Sequence, residues 1–325
     1  MSGLRLTARL EHWPIARVFT ISRGSKTEAV VVVAEVTDGL VTGRGECVPY
    51  TRYGESAEGV KATIENVAGN ISTRQALLKL LPAGAARNAI DCALWDYEAK
   101  LSGKRVYELA GIDAPEPLTV TYTISLDTPE KMAEAARAQA ARPILKIKLG
   151  QEGDAARIAA VRRAAPEIRL IADANEGWTA NNIAENIAAC VKAGVEMIEQ
   201  PLPTADDAFL ASFDHPIPLC ADESVFDLAS LPGLARKYDM INIKLDKCGG
   251  LTEGLALARE AAEWDLTYMV GCMVCTSLAI APAFLIAKGA QFVDLDGALL
   301  LATDREHGMH YDAGRLSPPE PALWG

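Results

Sequence analysis

A (β/α)8 (TIM-like) barrel with a smaller α+β domain ahead of it is the fold the sequence predicts. Three observations predict it. At 325 residues the chain has room for one large domain or two unequal ones. From about residue 117, short apolar runs alternate with alanine-rich amphipathic stretches, the texture of βαβ units around a parallel sheet. A charged residue also ends each successive run from Lys148 to Lys244, at intervals of 25, 26, 23 and 22 residues, close to one β/α unit each.

Residues 1–115 read as the α+β domain. Ala29–Val36, "AVVVVAEV", is a strand, and the segment around Gly43–Val48 is a second. They form an antiparallel pair across a turn near Asp38–Gly39. Ser56–Ile71 and Gly84–Ala110 carry helical patterns, the second with Ile90, Ala93, Leu94 and Tyr97 at helical spacing. Residues 116–300 read as the barrel, with strands near 119–124, 144–148, 169–173, 196–199, 218–222, 240–244, 267–271 and 292–294. Helices fill the intervals, for example Asp154–Ala165, Asn181–Ala193 and Thr252–Trp264. Residues 301–325, with Pro318, Pro319 and Pro321, form a tail that packs back on the first domain.

Composition narrows the function classes. A net charge of −11 argues against nonspecific binding to nucleic acid or to an anionic membrane. The seven cysteines are an odd number scattered among apolar residues, which is no disulfide framework and fits a reducing cytoplasm. The first residues, MSGLRLTARLEHW, contain no apolar signal core, and no uninterrupted apolar stretch reaches membrane-spanning length. A cytoplasmic location is expected. Whether the chain self-associates as a homo-oligomer is left open.

The chemistry lies at the strand ends. "RPILKIKLG" puts Lys146 and Lys148 inside an apolar run, although lysine is almost never fully buried unpaired. Two residues apart on a strand, both ammonium groups face one place. "LIADAN" carries Asp173, "MIEQP" Glu199, "PLCADES" Asp222, "INIKLD" Lys244 and "FVDLDG" Asp294 and Asp296. At the C-terminal rim of a barrel these residues meet, and active sites sit there. Asp173, Glu199 and Asp222 converging on one point would raise each other's pKa unless a cation sat among them. Oxygen-only donors favour a hard divalent ion such as Mg2+. Glu223 is the competing ligand beside Asp222; in an extended segment it should point the other way.

Lys148 and Lys244 then flank the metal. Two amines facing each other can act on opposite faces of one carbon. A proton next to a carboxylate is very weakly acidic, and a metal stabilises the enediolate formed when it leaves. Lys148 is expected to be the base and Lys244 to protonate the other face. Lys146 is expected to depress the pKa of Lys148 and to touch the substrate carboxylate.

Simpler readings stand beside these. The lysine pair could lie on a solvent-facing edge strand, the acids could be helix N-caps, and Asp294 and Asp296 could shape the turn before Gly297. The register of the whole set favours the site. Cys272-x-x-Cys275 has no second pair and no redox context, so buried thiols are expected. His307 and His310 fall in the tail, away from the rim, and Gly249-Gly250 lacks a phosphate-loop pattern.

As an ordered set, "KIK", "DANEGW", "EQP", "ADES" and "IKLDKCGG" resemble the enolase superfamily in its muconate-lactonizing subgroup. The likeness spans nearly the whole chain and makes the first domain a capping domain. Asp294-x-Asp296, "ISRGSKTEA", "GECVPYTRYGES" and "GCMVCTS" are similar to the dipeptide epimerases, especially the L-Ala-D/L-Glu type. That resemblance implies an isomerase using Mg2+ on a dipeptide substrate, in recycling or degrading murein peptide of the cell wall. It implies that Asp294 and Asp296 clamp the dipeptide α-ammonium and that two mobile capping loops close over it. It further implies that Arg23 meets a glutamate side-chain carboxylate, with Thr123 and Cys272 at the substrate. The competing activities are a lyase or cycloisomerase, such as o-succinylbenzoate synthase or muconate cycloisomerase, and an N-acylamino-acid racemase. Those substrates carry no ammonium for the two aspartates. A catalytically dead binding protein would not be expected to keep every member of the set.

Overall fold

The computed structural model describes residues 4–71 and 73–325. The chain opens with a three-stranded antiparallel sheet of β1 (Arg5–Ile21), β2 (Gly24–Thr37) and β3 (Thr42–Cys47). Strand β1, of 17 residues, was not expected from the sequence. Its period-2 signal at Leu6, Ala8 and Leu10 is interrupted at Pro14, where the register with β2 shifts. Proline is tolerated there because β1 is an edge strand. The β2–β3 turn lies where expected: Asp38 Oδ1 accepts from Leu40 N and Val41 N, both at 2.8 Å.

Helices α1 (Ala57–Asn66), α2 (Arg74–Leu80) and α3 (Ala85–Ser102) follow. Ser56 caps α1 rather than joining it. The expected helix to Ala110 stops at Ser102, because Gly103 turns left-handed at φ 68°. Helix α3 lies so close on β3 that a Cβ on Gly45 would stand 2.2 Å from Ala89 O. Its other side meets the barrel. Asp91 accepts from Thr252 N at 2.9 Å and Thr252 Oγ1 at 2.6 Å, and Asn88 Nδ2 donates to Asp246 Oδ1 at 2.9 Å.

Asp91 yields a pH prediction. Burial raises its pKa to about 6, against the pull of the Thr252 hydrogen bonds. The folded chain therefore holds this proton more tightly than the unfolded chain does. Its contribution to stability is intact below about pH 4 and is lost as pH rises through about 6. The loss is about 3 kcal/mol when complete. Asp91→Asn cannot ionise, so its Tm relative to the parent protein should climb between pH 4.5 and 7. Tm curves that stay parallel would show that Asp91 is not the titrating group.

After Leu118–Thr119 (β4), eight parallel strands form the barrel: β5 (Tyr122–Ile124), β6 (Ile144–Lys148), β7 (Arg169–Asp173), β8 (Val195–Glu199), β9 (Leu219–Ala221), β10 (Met240–Ile243), β11 (Thr267–Gly271) and β12 (Val293–Asp294). Thr121 N donates to Val293 O at 2.9 Å across the seam. The single strand expected at 119–124 is two. β4 pairs instead with β14 (Arg315–Leu316), which pairs with β13 (Tyr311–Asp312) in the tail.

One helix per interval was also too regular an expectation. The intervals after β8 and β9 hold only short helical pieces, the 3-10 segments Asp207–Ser212 and Leu228–Ser230 and the single α-turn Leu231–Leu234. Pro201, Pro203, Pro216 and Pro218 deny the first of these a longer helix. The chain end contacts α3: Trp324 Nε1 donates to Cys92 O at 3.0 Å and Gly325 N to Asp96 Oδ1 at 2.8 Å. Among the described residues all seven cysteines are free, and no helix is long and apolar enough to cross a membrane.

The barrel interior sorts by height. Ile144, Ile171, Met197, Cys220, Met240, Met269 and Phe292 form one apolar cluster across its lower end. Two residues further along stand Lys146, Asp173, Glu199, Asp222, Asn242 and Asp294, with Gly271 the one position that carries no polar side chain. Apolar packing below thus confines the polar groups to the upper rim.

Candidate active site

The strand register holds the rim groups level. Lys148 pairs with Asp173 across β6–β7, and Asp173 with Glu199 across β7–β8. All are buried, yet none is left alone. Lys148 Nζ donates to Asp173 Oδ2 at 2.6 Å, and Lys244 Nζ to Asp222 Oδ2 at 2.7 Å. Lys146 Nζ lies 2.7 Å from Asp294 Oδ2 and 3.1 Å from Asp173 Oδ2. It also lies 2.6 Å from Glu199 Oε2, but out of hydrogen-bonding alignment, so that oxygen accepts no hydrogen bond. Gly271 makes room for Lys244: a Cβ there would stand 2.9 Å from Lys244 Cε.

Electrostatics divides the acids into two kinds. Burial alone would raise every one. Lys148 and Lys146 overcome it at Asp173, and Lys244 and Lys247 at Asp222, holding both carboxyls below their ordinary range. Glu199 is pushed up to about 7 by burial and by Asp173. Glu223 is pushed up to about 7 by burial, Asp222 and Asp173. On the lysine side, burial would lower Lys146 and Lys244. Asp294 and Glu199 instead carry Lys146 well above its usual value, and Asp222 does the same for Lys244.

Above this layer is a cavity of about 370 Å³, within the range of small-molecule sites. Lys146, Lys148, Asp222, Lys244, Asp294 and Asp296 reach its floor, with Thr123 and Cys272 beside them. Asp173 and Glu199 do not: they stand behind the lysines. β6 and β10 are four places apart in the eight-strand order, so Lys148 and Lys244 rise from opposite walls.

The contacts these residues make differ in several particulars from what the sequence suggests. Among the described residues, no three His, Cys, Asp or Glu side chains are gathered as ligands around one point. Asp173 and Asp222 are turned to Lys148 and Lys244 instead. Lys146 is committed to protein carboxylates and is no loose donor. Glu223 does not point away: β9 ends at Ala221, the alternation ends with it, and Glu223 lines the cavity. The segment expected as a first mobile loop is the tip of the β1–β2 hairpin, turning at Ser22–Arg23. Arg23 lines the cavity, but its guanidinium donates to Glu223 Oε1 at 2.7 Å, Asn175 O at 2.9 Å and Glu176 Oε2 at 3.2 Å.

Asp294 is already engaged by Lys146 and by Thr121 Oγ1 at 2.5 Å. Asp296 accepts from Thr123 N at 2.6 Å and is in no ion pair among the described residues. Burial and Asp294 push it up to about 6. Cys272 Sγ, at the cavity wall, faces Asp294 O at 3.4 Å.

Two polar residues under the floor escaped the sequence reading. Asn242 Nδ2 donates to Glu199 Oε1 at 2.8 Å, and Lys247 Nζ to Asp222 Oδ1 at 2.6 Å. Asn242 precedes Lys244 by two, as Lys146 precedes Lys148, and that spacing was the available signal.

The donor set fits a hard divalent cation. Asp173, Glu199 and Asp222 offer oxygen only, and among the described residues Glu199 Oε2 and Glu223 Oε2 accept no hydrogen bond.

Known proteins match this architecture along nearly the whole chain. Residues 4–111 match the mandelate racemase/muconate lactonizing enzyme N-terminal domain, and residues 130–321 match the enolase C-terminal domain-like family. The L-Ala-D/L-Glu epimerase of Escherichia coli (strain K12) is 46% identical over 94% of this chain and 97% of its own length. The N-acetyl-D-glutamate racemase of a Pseudoalteromonas species is 43% identical over 91% of this chain and 95% of its own. An enolase family member from Agrobacterium tumefaciens, with homology to dipeptide epimerases, was crystallised with sodium and L-Ala-L-Glu. It is 52% identical, covers 99% of this chain and 100% of its own, and superposes with a TM-score of 0.97.

Proposed function

The chain belongs to the enolase superfamily, in its mandelate racemase and muconate lactonizing branch, and from this we propose that it epimerises L-Ala-D/L-Glu by a two-lysine 1,1-proton transfer. The observation that carries the reading is the pair of buried lysines on opposite walls of one cavity, above a layer of acids. In this reading Lys148 Nζ takes the glutamate α-proton from one face. Lys244 Nζ, held protonated beside Asp222, returns a proton to the other. Asp173, Glu199 and Asp222 are the residues that would hold Mg2+. When bound, the cation supplies positive charge to offset the enediolate and competes for the carboxylates now paired with Lys148 and Lys244. Lys146 adds fixed positive charge beneath the substrate carboxylate, and the closed β1–β2 hairpin keeps water out.

The glutamate assignment draws support from relatives named for Ala-Glu and for N-acetyl-glutamate. Both substrates carry an amide on the glutamate nitrogen and differ in the acyl group: an alanyl group with a free α-ammonium in one, an acetyl group without it in the other. Asp296, buried and in no ion pair among the described residues, favours the ammonium. Asp296→Asn should therefore cost about 10–100-fold in kcat/KM for L-Ala-L-Glu while sparing N-acetylglutamate. Steady-state rates on both substrates check this. A parent protein that prefers N-acetylglutamate would replace the dipeptide assignment.

A further inference from the structure

The acidic side chain of a glutamate substrate calls for a cation at the cavity mouth. Arg23 is poorly placed for it. Its guanidinium already donates to Glu223, Glu176, Asn175 O and the Tyr50 hydroxyl, and the Glu223 contact is 2.7 Å. A substrate carboxylate would have to displace a buried protein carboxylate from it. Together with Ser22 Oγ, which donates to Asn175 O at 2.7 Å, these bonds tie the hairpin tip to the rim. Arg52 is spent likewise, donating to both oxygens of Glu176 at 2.8 Å.

Lys26 is different. It pairs with Phe19 across the hairpin, as Ile21 pairs with Gly24, so Phe19, Ile21 and Lys26 share one face. That face looks into the cavity, and all three line it. Among the described residues no carboxylate pairs with the Lys26 ammonium. It sits 4.9 Å from the centre of the Tyr50 ring, a cation–π contact that fixes its direction without neutralising it. Desolvation at the cavity mouth and the neighbouring Arg23 both disfavour its charge, and the opposite charge of an incoming anion would offset both.

We propose that Lys26, not Arg23, is the specificity-determining cation that binds the side-chain carboxylate of the substrate's C-terminal residue, while Arg23 latches the hairpin over the cavity. The inference rests on the dipeptide reading above and adds the residue that selects an acidic side chain.

The test compares kcat/KM for L-Ala-L-Glu and its neutral isostere L-Ala-L-Gln in the full-length protein with Mg2+. Lys26→Met should collapse the Glu/Gln preference at least tenfold, mainly through a higher KM for L-Ala-L-Glu. Lys26→Glu should turn the preference toward L-Ala-L-Lys. Arg23→Met should slow both substrates alike and keep the ratio. An unchanged ratio in Lys26→Met, or a ratio that collapses in Arg23→Met instead, overturns the assignment. A parent protein that epimerises no dipeptide at all would overturn the dipeptide reading and this assignment with it, an outcome distinct from an active parent whose selectivity ignores Lys26.

Discussion

Replacing either Lys148 or Lys244 by alanine should stop epimerisation, with a loss of at least about 10³-fold in kcat. The two side chains rise from strands halfway round the barrel from one another, and both reach the cavity floor. A single group on one face can remove a proton and return it, but it restores the configuration it began with. Inversion needs the second amine. Each variant should therefore still exchange the α-proton of one diastereomer with solvent, because the surviving lysine remains. Chiral separation of the products gives the first quantity, and deuterium uptake followed by mass spectrometry gives the second. Full epimerisation in either variant would end the two-base account.

Removing divalent cations should abolish activity without unfolding the chain. Three buried carboxylates with no compensation would be costly. Here Lys148, Lys146 and Lys244 already stand against Asp173, Glu199 and Asp222, so the rim can remain folded without metal. Exhaustive chelation should leave the circular dichroism spectrum intact and reduce turnover to background. Adding Mg2+ should restore turnover and raise Tm by mass action. Glu199→Gln removes the one acid of the three held near neutrality, and with it the Tm response to Mg2+ should shrink or vanish. A chelated protein that keeps full activity would contradict the assignment. So would a Glu199→Gln variant whose Tm still rises normally with Mg2+.

The barrel was legible because its inward positions obey one rule: apolar low, charged high, two residues apart. "ILKIK" and "MIEQP" state that rule in five residues each. What escaped detection depended on where regular structure stops. Strand alternation puts Glu223 on the wrong side because β9 ends two residues before it, at Ala221. β1 was missed because Pro14 and scattered charges break its pattern, although its hairpin forms one wall of the cavity. Partnership was the least legible feature. "ISRGSKTEA" contains both Arg23 and Lys26, and nothing in the string says that Glu223, 200 residues away, occupies the arginine. Likewise the spacing of Lys146, Lys148 and Lys244 brought the lysines to the acids. Only the three-dimensional packing shows the lysines standing between the cavity and Asp173 and Glu199.

Proton NMR in D2O, with the purified protein, Mg2+ and L-Ala-L-Glu, tests two-lysine proton transfer most directly. The glutamate α-proton resonance should disappear while L-Ala-D-Glu accumulates to its equilibrium with L-Ala-L-Glu. An α-proton that persists at full intensity, with no second diastereomer, would contradict proton transfer at that carbon and remove L-Ala-L-Glu as the substrate.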